Sequence, residues 1–151
     1  MKINPMEATL MNKPVSAKMG IKENMRSIFL NAPADAIDGI ELPPLDLITQ
    51  KRGRFDYIHL FVKSVNEFKE YFPSLKSHLS ETGMLWVSWP KMGQLGTDLS
   101  LTRIIQMGYE SELVESTCLS INQTWSALKF THPKKGKVYN NKYGKLPSQT
   151  Y

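Results

Sequence analysis

The sequence predicts one α/β domain: a mostly parallel sheet of about six strands, covered by helices on both faces and finished by an antiparallel hairpin. Three observations carry this. Strand-like apolar runs alternate with amphipathic segments between residues 26 and 110, and parallel neighbours need such crossovers. The apolar part of the chain then ends in two consecutive strand-like runs joined by a short polar turn, the pattern of a hairpin. Finally, 151 residues with 41% hydrophobic content suit one core rather than two.

Residues 1–17 read as a loose leader, with a short helical turn reaching Gly20. "RSIFLN" (26–31) is the first strand. Pro33 then suits the first position of a short helix over 33–38, where its missing N–H costs nothing, and Gly39 suits that helix's end. "LDLIT" (45–49) is a second short strand and "FDYIHLFV" (55–62) a buried central one.

The next segment places Val65, Phe68, Phe72, Leu75 and Leu79 on one helical stripe that Pro73 should divide. "MLWVSW" (84–89) is another buried strand, stopped by Pro90. After "KMGQLG", Thr97 or Asp98 is the expected N-cap of a helix that Gly108 would terminate. "ELVESTCLSI" and "TWSALKFTH", separated by Asn122-Gln123, form the hairpin.

Charge is unevenly placed. Residues 1–131 hold 14 Lys and Arg against 14 Asp and Glu, so the net +5 comes from the five lysines of 132–151. That tail is expected to be a solvated terminus, with nucleic-acid binding through its lysines and tyrosines as a lesser alternative. No apolar run reaches the roughly twenty residues of a bilayer span, and the N-terminus lacks a secretory h-region. With one cysteine, Cys118, no internal disulfide can form, and a cytoplasmic setting is expected. His59, His78 and His132 have no metal-ligand spacing and are read as structural or solvated.

The element order is similar to the class I methyltransferase fold, a three-layer Rossmann-like architecture, and "FDYIHLF" resembles the opening of that fold's fourth strand. One strand and one helix of the pattern are missing between residues 50 and 54. The marks "MGIKENM", "NAP", "WPK" (89–91), "TDL" (97–99) and "WSALKF" (125–130) more closely resemble an uncharacterised bacterial domain-of-unknown-function family. That family is methyltransferase-like in fold, and the marks cover residues 18–131. The resemblance implies a fold and a cleft, with no reaction attached.

Methyltransferases end their first strand in an acidic residue and a Gly-x-Gly turn, and place a carboxylate after the second. Here Asn31-Ala32-Pro33-Ala34 and Thr49-Gln50 stand instead. Ala32 and Ala34 add Cβ atoms and Pro33 offers no N–H, so the sequence predicts no cofactor and speaks against S-adenosylmethionine in the usual mode.

The crevice expected at the strand ends has a rim of Asn31, Pro33, Gln50, Lys63, Ser64, Trp89 and Lys91, with Trp125 as a second candidate wall. Lys63 and Lys91 would attract an anionic group, Asn31 would supply an amide, and Trp89 or Trp125 a flat apolar surface. No catalytic set can be assembled from these residues. The sequence therefore points to a non-catalytic binding or regulatory module for a small anionic metabolite, with a methyltransferase carrying an altered cofactor loop as the alternative.

Overall fold

The computed structural model describes residues 13–149. Residues 1–12 of the expected leader lie outside them. The elements are α1 (Val15–Met19), β1 (Arg26–Leu30), α2 (Ala34–Ile40), β2 (Asp46–Leu47), β3 (Phe55–Phe61), α3 (Val65–Tyr71), β4 (Leu79–Pro90), α4 (Leu101–Glu110), β5 (Val114–Ser120) and β6 (Trp125–Thr131). They build one six-stranded sheet of order β2-β1-β3-β4-β6-β5. Pairings from β2 to β4 are parallel, and β6 runs antiparallel to both β4 and β5. This is the methyltransferase-like Rossmann architecture that the element order predicted.

Each face of the sheet buries its own cluster. On one face, Ile58, Leu60, Leu85, Val87 and Leu128 pack beneath Phe68 of α3, Phe72 just after it, and Ile104 and Ile105 of α4. On the other, Tyr57, Phe61, Trp86 and Trp125 meet Met19 and Ile40 of α1 and α2. Alternation along β3 and β4 sorts these side chains to opposite faces. Pro73 divides the helical stripe as expected: α3 stops at Tyr71 and a 3-10 turn (Pro73–His78) carries Leu75 into the same cluster.

Several local expectations are corrected. Pro33 is the N-cap of α2 rather than its first residue, its carbonyl accepting from the Ala36 N–H at 3.1 Å, and the helix runs on through Gly39 to Ile40. Glu41, at φ 56°, makes the left-handed exit instead. Gly108 likewise lies inside α4, because a Cβ there would fall 2.1 Å from Cε1 of Phe130. The cap of α4 is Ser100, whose hydroxyl accepts from the Arg103 N–H. Asp98 instead accepts from the Val65 N–H at 2.9 Å and so caps α3 across the fold.

β4 begins at Leu79, five residues earlier than the apolar run suggests, with a register shift against β3 that brings Gly83 close to the Phe55 carbonyl. β2 is two residues long and pairs only with the first two residues of β1. The chain then turns back beneath the start of β1, where the Arg26 guanidinium donates to the carbonyls of Arg52 and Arg54.

Residues 132–149 pack against the domain. Leu146 is buried in the core beneath α4, and Ser148 donates to the Glu112 carboxylate. The five lysines of this stretch stay exposed, so the terminus is attached rather than wholly solvated.

Candidate functional site

In an open parallel sheet a crevice forms where neighbouring strands send their connections to opposite sides. Here that point lies between β1, whose chain leads outward to β2, and β3, whose chain leads to β4. A cavity of about 440 Å³ opens there, in the range of small-molecule sites.

Its first wall is the turn after β1. Asn31 is exposed with φ 59°, the left-handed conformation in which asparagine is among the few tolerated residues other than glycine. This one residue turns the strand sharply enough for Ala32 and Pro33 to line the cavity instead of filling it. The following helix contributes Asp35. The second wall is aromatic. Phe61, the last residue of β3, meets Trp125 edge-on at 5.3 Å, and both rings line the cavity.

Glu67 and Lys63 close the rim between β3 and α3. Ser64 caps that helix by accepting from the Glu67 N–H at 3.1 Å, and Glu67 Oε1 accepts from the Lys63 N–H at 2.7 Å. Lys63 keeps its ammonium group exposed at the cavity. Thr124 and Leu95 complete the lining. Leu95 comes from the loop 91–96, in which Met92 and Leu95 hold φ of 45° and 55°.

Beneath the aromatic wall lies a polar chain inside the core. His59 is fully buried and stacks on Phe61 at 4.3 Å; its Nδ1 is 2.6 Å from the Tyr57 hydroxyl and its Nε2 2.7 Å from the Ser88 hydroxyl. Burial drives the imidazole pKa down to about 3 and the Tyr57 phenol well above its usual value, so both are neutral near pH 7. The ring then has one donor and one acceptor nitrogen, which the two hydroxyls satisfy.

Of the eight candidate residues read from the sequence, the fold brings Asn31, Pro33, Lys63 and Trp125 together at the cavity. Ser64 lies beside it as the α3 cap. Lys91 reaches away, its ammonium group donating to the Ser120 hydroxyl and the Asn122 carbonyl, and so pins the β5–β6 turn to the end of β4. Trp89 points into the cluster on the opposite face of the sheet. Gln50 does not line the cavity: β2 stops alongside Ser27, about 10 Å short of Leu30 at three residues of strand rise, and the chain turns back so that the Arg52 carbonyl meets the Arg26 guanidinium.

Sequence reasoning missed Asp35, Phe61, Glu67, Leu95 and Thr124. Two signals were present. Ser64-Val65-Asn66-Glu67 has the S-x-x-E form of a capping box, which sends the glutamate back toward the strand end. Tyr57, His59 and Phe61 also alternate along one strand, which puts all three on the face of Trp125.

The sequence matches no protein-family model and no curated protein, so the resemblance to the domain-of-unknown-function family stands on its motifs alone. Solved structures do share the fold. A ribosomal protein L11 methylase from Lactobacillus delbrueckii subsp. bulgaricus superposes with a TM-score of 0.55 at 12% identity, over 85% of this chain and 78% of the methylase. A SAM-dependent methyltransferase from Aquifex aeolicus gives 0.48 at 10% identity, over 85% of this chain and 98% of its own.

The fold is that of methyltransferases. At these identities the likeness speaks to architecture, and it overturns the expectation of no cofactor, with S-adenosylmethionine disfavoured. The steric premise of that expectation fails too, since Asn31 makes the turn assigned to glycine and the alanine and proline leave a cavity open. The residues present fit such a group: a flat aromatic wall, an asparagine amide, a carboxylate at Asp35 and enough room.

No helix among the described residues is long and apolar enough to cross a membrane.

Proposed function

We propose that this chain is a methyltransferase-type protein whose crevice binds S-adenosylmethionine. The observation that carries the reading is the left-handed turn at Asn31, which opens a cavity against the Phe61–Trp125 wall at the switch point of the sheet. The fold shared with the L11 methylase supports it. When bound, such a cofactor supplies an electrophilic methyl group. The aromatic wall would take its flat base. Asn31 and Asp35 would hydrogen-bond its polar groups, and Lys63 would attract its carboxylate.

The test is calorimetric and thermal titration with S-adenosylmethionine and S-adenosylhomocysteine. Saturable binding and a melting temperature that climbs with ligand concentration are expected. Asn31→Gly should keep the turn and lose only the amide's hydrogen bond, so that binding weakens no more than severalfold. Asn31→Val should bind at least tenfold more weakly, because a β-branched residue resists positive φ. No shift at millimolar ligand contradicts the reading.

A second reading has a specific observation in its favour. The stretch 48–54 that follows β2 contains no Asp or Glu, and none of its residues lines the cavity. A crevice without a carboxylate from that stretch suits a smaller anionic ligand, held at Lys63 with no reaction. Native mass spectrometry of the purified protein should then find a co-purifying anion whose affinity falls about tenfold in Lys63→Ala; a ligand-free spectrum, or unchanged affinity, contradicts it.

A further inference from the structure

The opposite end of the sheet carries a second concavity, of about 800 Å³, with different chemistry. Four elements meet there: the chain entering β3, the 3-10 turn before β4, the first residues of β4, and the chain leaving β6. They bring Arg54, Lys76, His132, Lys134 and Lys135 around one cleft, with Glu81 as the one acid lining it. The Glu112 carboxylate lies near enough to favour the charged form of Lys76, and the polar contacts of Arg54 and Lys76 are made to backbone carbonyls. Arg54 donates to the Leu79 carbonyl at 3.4 Å and Lys76 to the backbone carbonyl of Glu112 at 2.6 Å. A ring nitrogen of His132 lies 2.9 Å from the Leu79 carbonyl, and the side chains of Lys134 and Lys135 are exposed.

Like charges gathered on a concave surface repel one another, and low-dielectric walls strengthen their field toward the opening. A chain that balances its charge over residues 1–131 thus concentrates an excess of cations at one end, drawing on both domain and tail. The lining contains no Phe, Tyr or Trp ring, and the one imidazole, His132, is held against the Leu79 carbonyl. Its recognition would be of phosphates rather than of bases. Of the tail's described tyrosines neither ring lines the cleft: Tyr143 lines a separate hollow with Lys142 and Lys145, and Tyr139 packs against the core with its hydroxyl accepting from the Lys134 N–H at 2.8 Å.

We propose that this cleft binds a ligand carrying several closely spaced phosphate groups, its four permanent cations each meeting a phosphate oxygen. Two sources offer that chemistry, the phosphodiester backbone of a nucleic acid and a soluble polyphosphate. Nothing in the proposal depends on the crevice at the other end.

The experiment is fluorescence anisotropy on the full chain with a labelled single-stranded RNA of about 20 nucleotides and a labelled DNA duplex of similar length, each competed with tripolyphosphate. With about four phosphate contacts, affinity should fall on the order of 50- to 150-fold between 50 and 200 mM salt. Lys134→Glu/Lys135→Glu should bind at least tenfold more weakly, and Arg54→Gln severalfold more weakly. Lys18→Glu/Lys142→Glu makes the same change of net charge away from the cleft and should stay within about twofold of wild type. The exposed lysine side chains bear no hydrogen bond of the fold, so melting temperatures of the lysine variants should match the wild type.

Tight binding of the nucleic acids identifies the backbone as the source, whereas binding of tripolyphosphate alone identifies a soluble ligand. Absence of binding by every probe at 50 mM salt overturns the proposal. So does equal weakening by the two double-lysine variants, which would trace the effect to net charge alone.

Discussion

The two faces of the sheet are built from the same strands but to different ends. The face under α3 and α4 is packed mainly by aliphatic side chains and phenylalanines, and its fit is tight enough that α4 needs a glycine where it crosses Phe130. The face under α1 and α2 buries the Tyr57–His59–Ser88 chain, and its aromatic surface runs out through Phe61 and Trp125 into the crevice. One face holds the fold together by close packing. The other gives up part of its apolar surface to a hydrogen-bonded core that fixes the wall of a binding site, which teaches that packing and binding have been separated by side of the sheet.

The sharpest way to break this contrast is His59→Leu. It leaves two buried hydroxyls without a partner, at about 1 to 3 kcal/mol each, so a loss of about 3 kcal/mol is expected in urea unfolding. Tyr57→Phe and Ser88→Ala on the same background should recover more than half of it, because an apolar core with no orphan is close to neutral. A triple variant no more stable than His59→Leu would show that the polar chain is incidental.

On the packed face, Gly108→Ala should cost about 2 kcal/mol, overcrowding of the Phe130 ring outweighing the gain in helix propensity. Unchanged stability there would mean that the fit is loose.

A smaller effect separates the faces by pH. The unfolded His59 takes up a proton near pH 6.5, whereas in the fold it stays neutral down to about 3. The unfolded state therefore binds more protons in that window, and stability falls as pH falls. Between pH 7.5 and 5.5 the loss assigned to His59 is roughly 1 to 2 kcal/mol. Gly108→Ala should show it in full, and the triple variant without His59 should lack it. The same slope in both would assign it to other groups.

Much of this was legible in the sequence because it is written in local periodicity. The strands from "RSIFL", "FDYIHLF" and "WSALKF", the division at Pro73 and the closing hairpin all follow from runs of neighbouring residues. What failed was non-local. Gly39 and Gly108 read as helix ends because glycine signals a left-handed exit, yet Gly108 serves a ring twenty-two residues further along the chain. Asp98 looked like a cap for the helix beside it and caps α3 instead. Gln50 was placed at the rim because strands are expected to span the sheet, and β2 stops after two residues. Asn31 was the instructive case: its tolerance of positive φ was available from the residue type, but the crowding read from Ala32 and Pro33 weighed more until the turn's geometry showed both at the edge of an open cavity.

The most direct test of the crevice is a crystal structure of the protein grown with S-adenosylhomocysteine. The ligand's base should lie in van der Waals contact with Trp125 or Phe61, and its polar groups should face Asn31 and Asp35. A crevice without ligand at millimolar concentration, or the compound bound only at the cationic end of the sheet, would contradict the account.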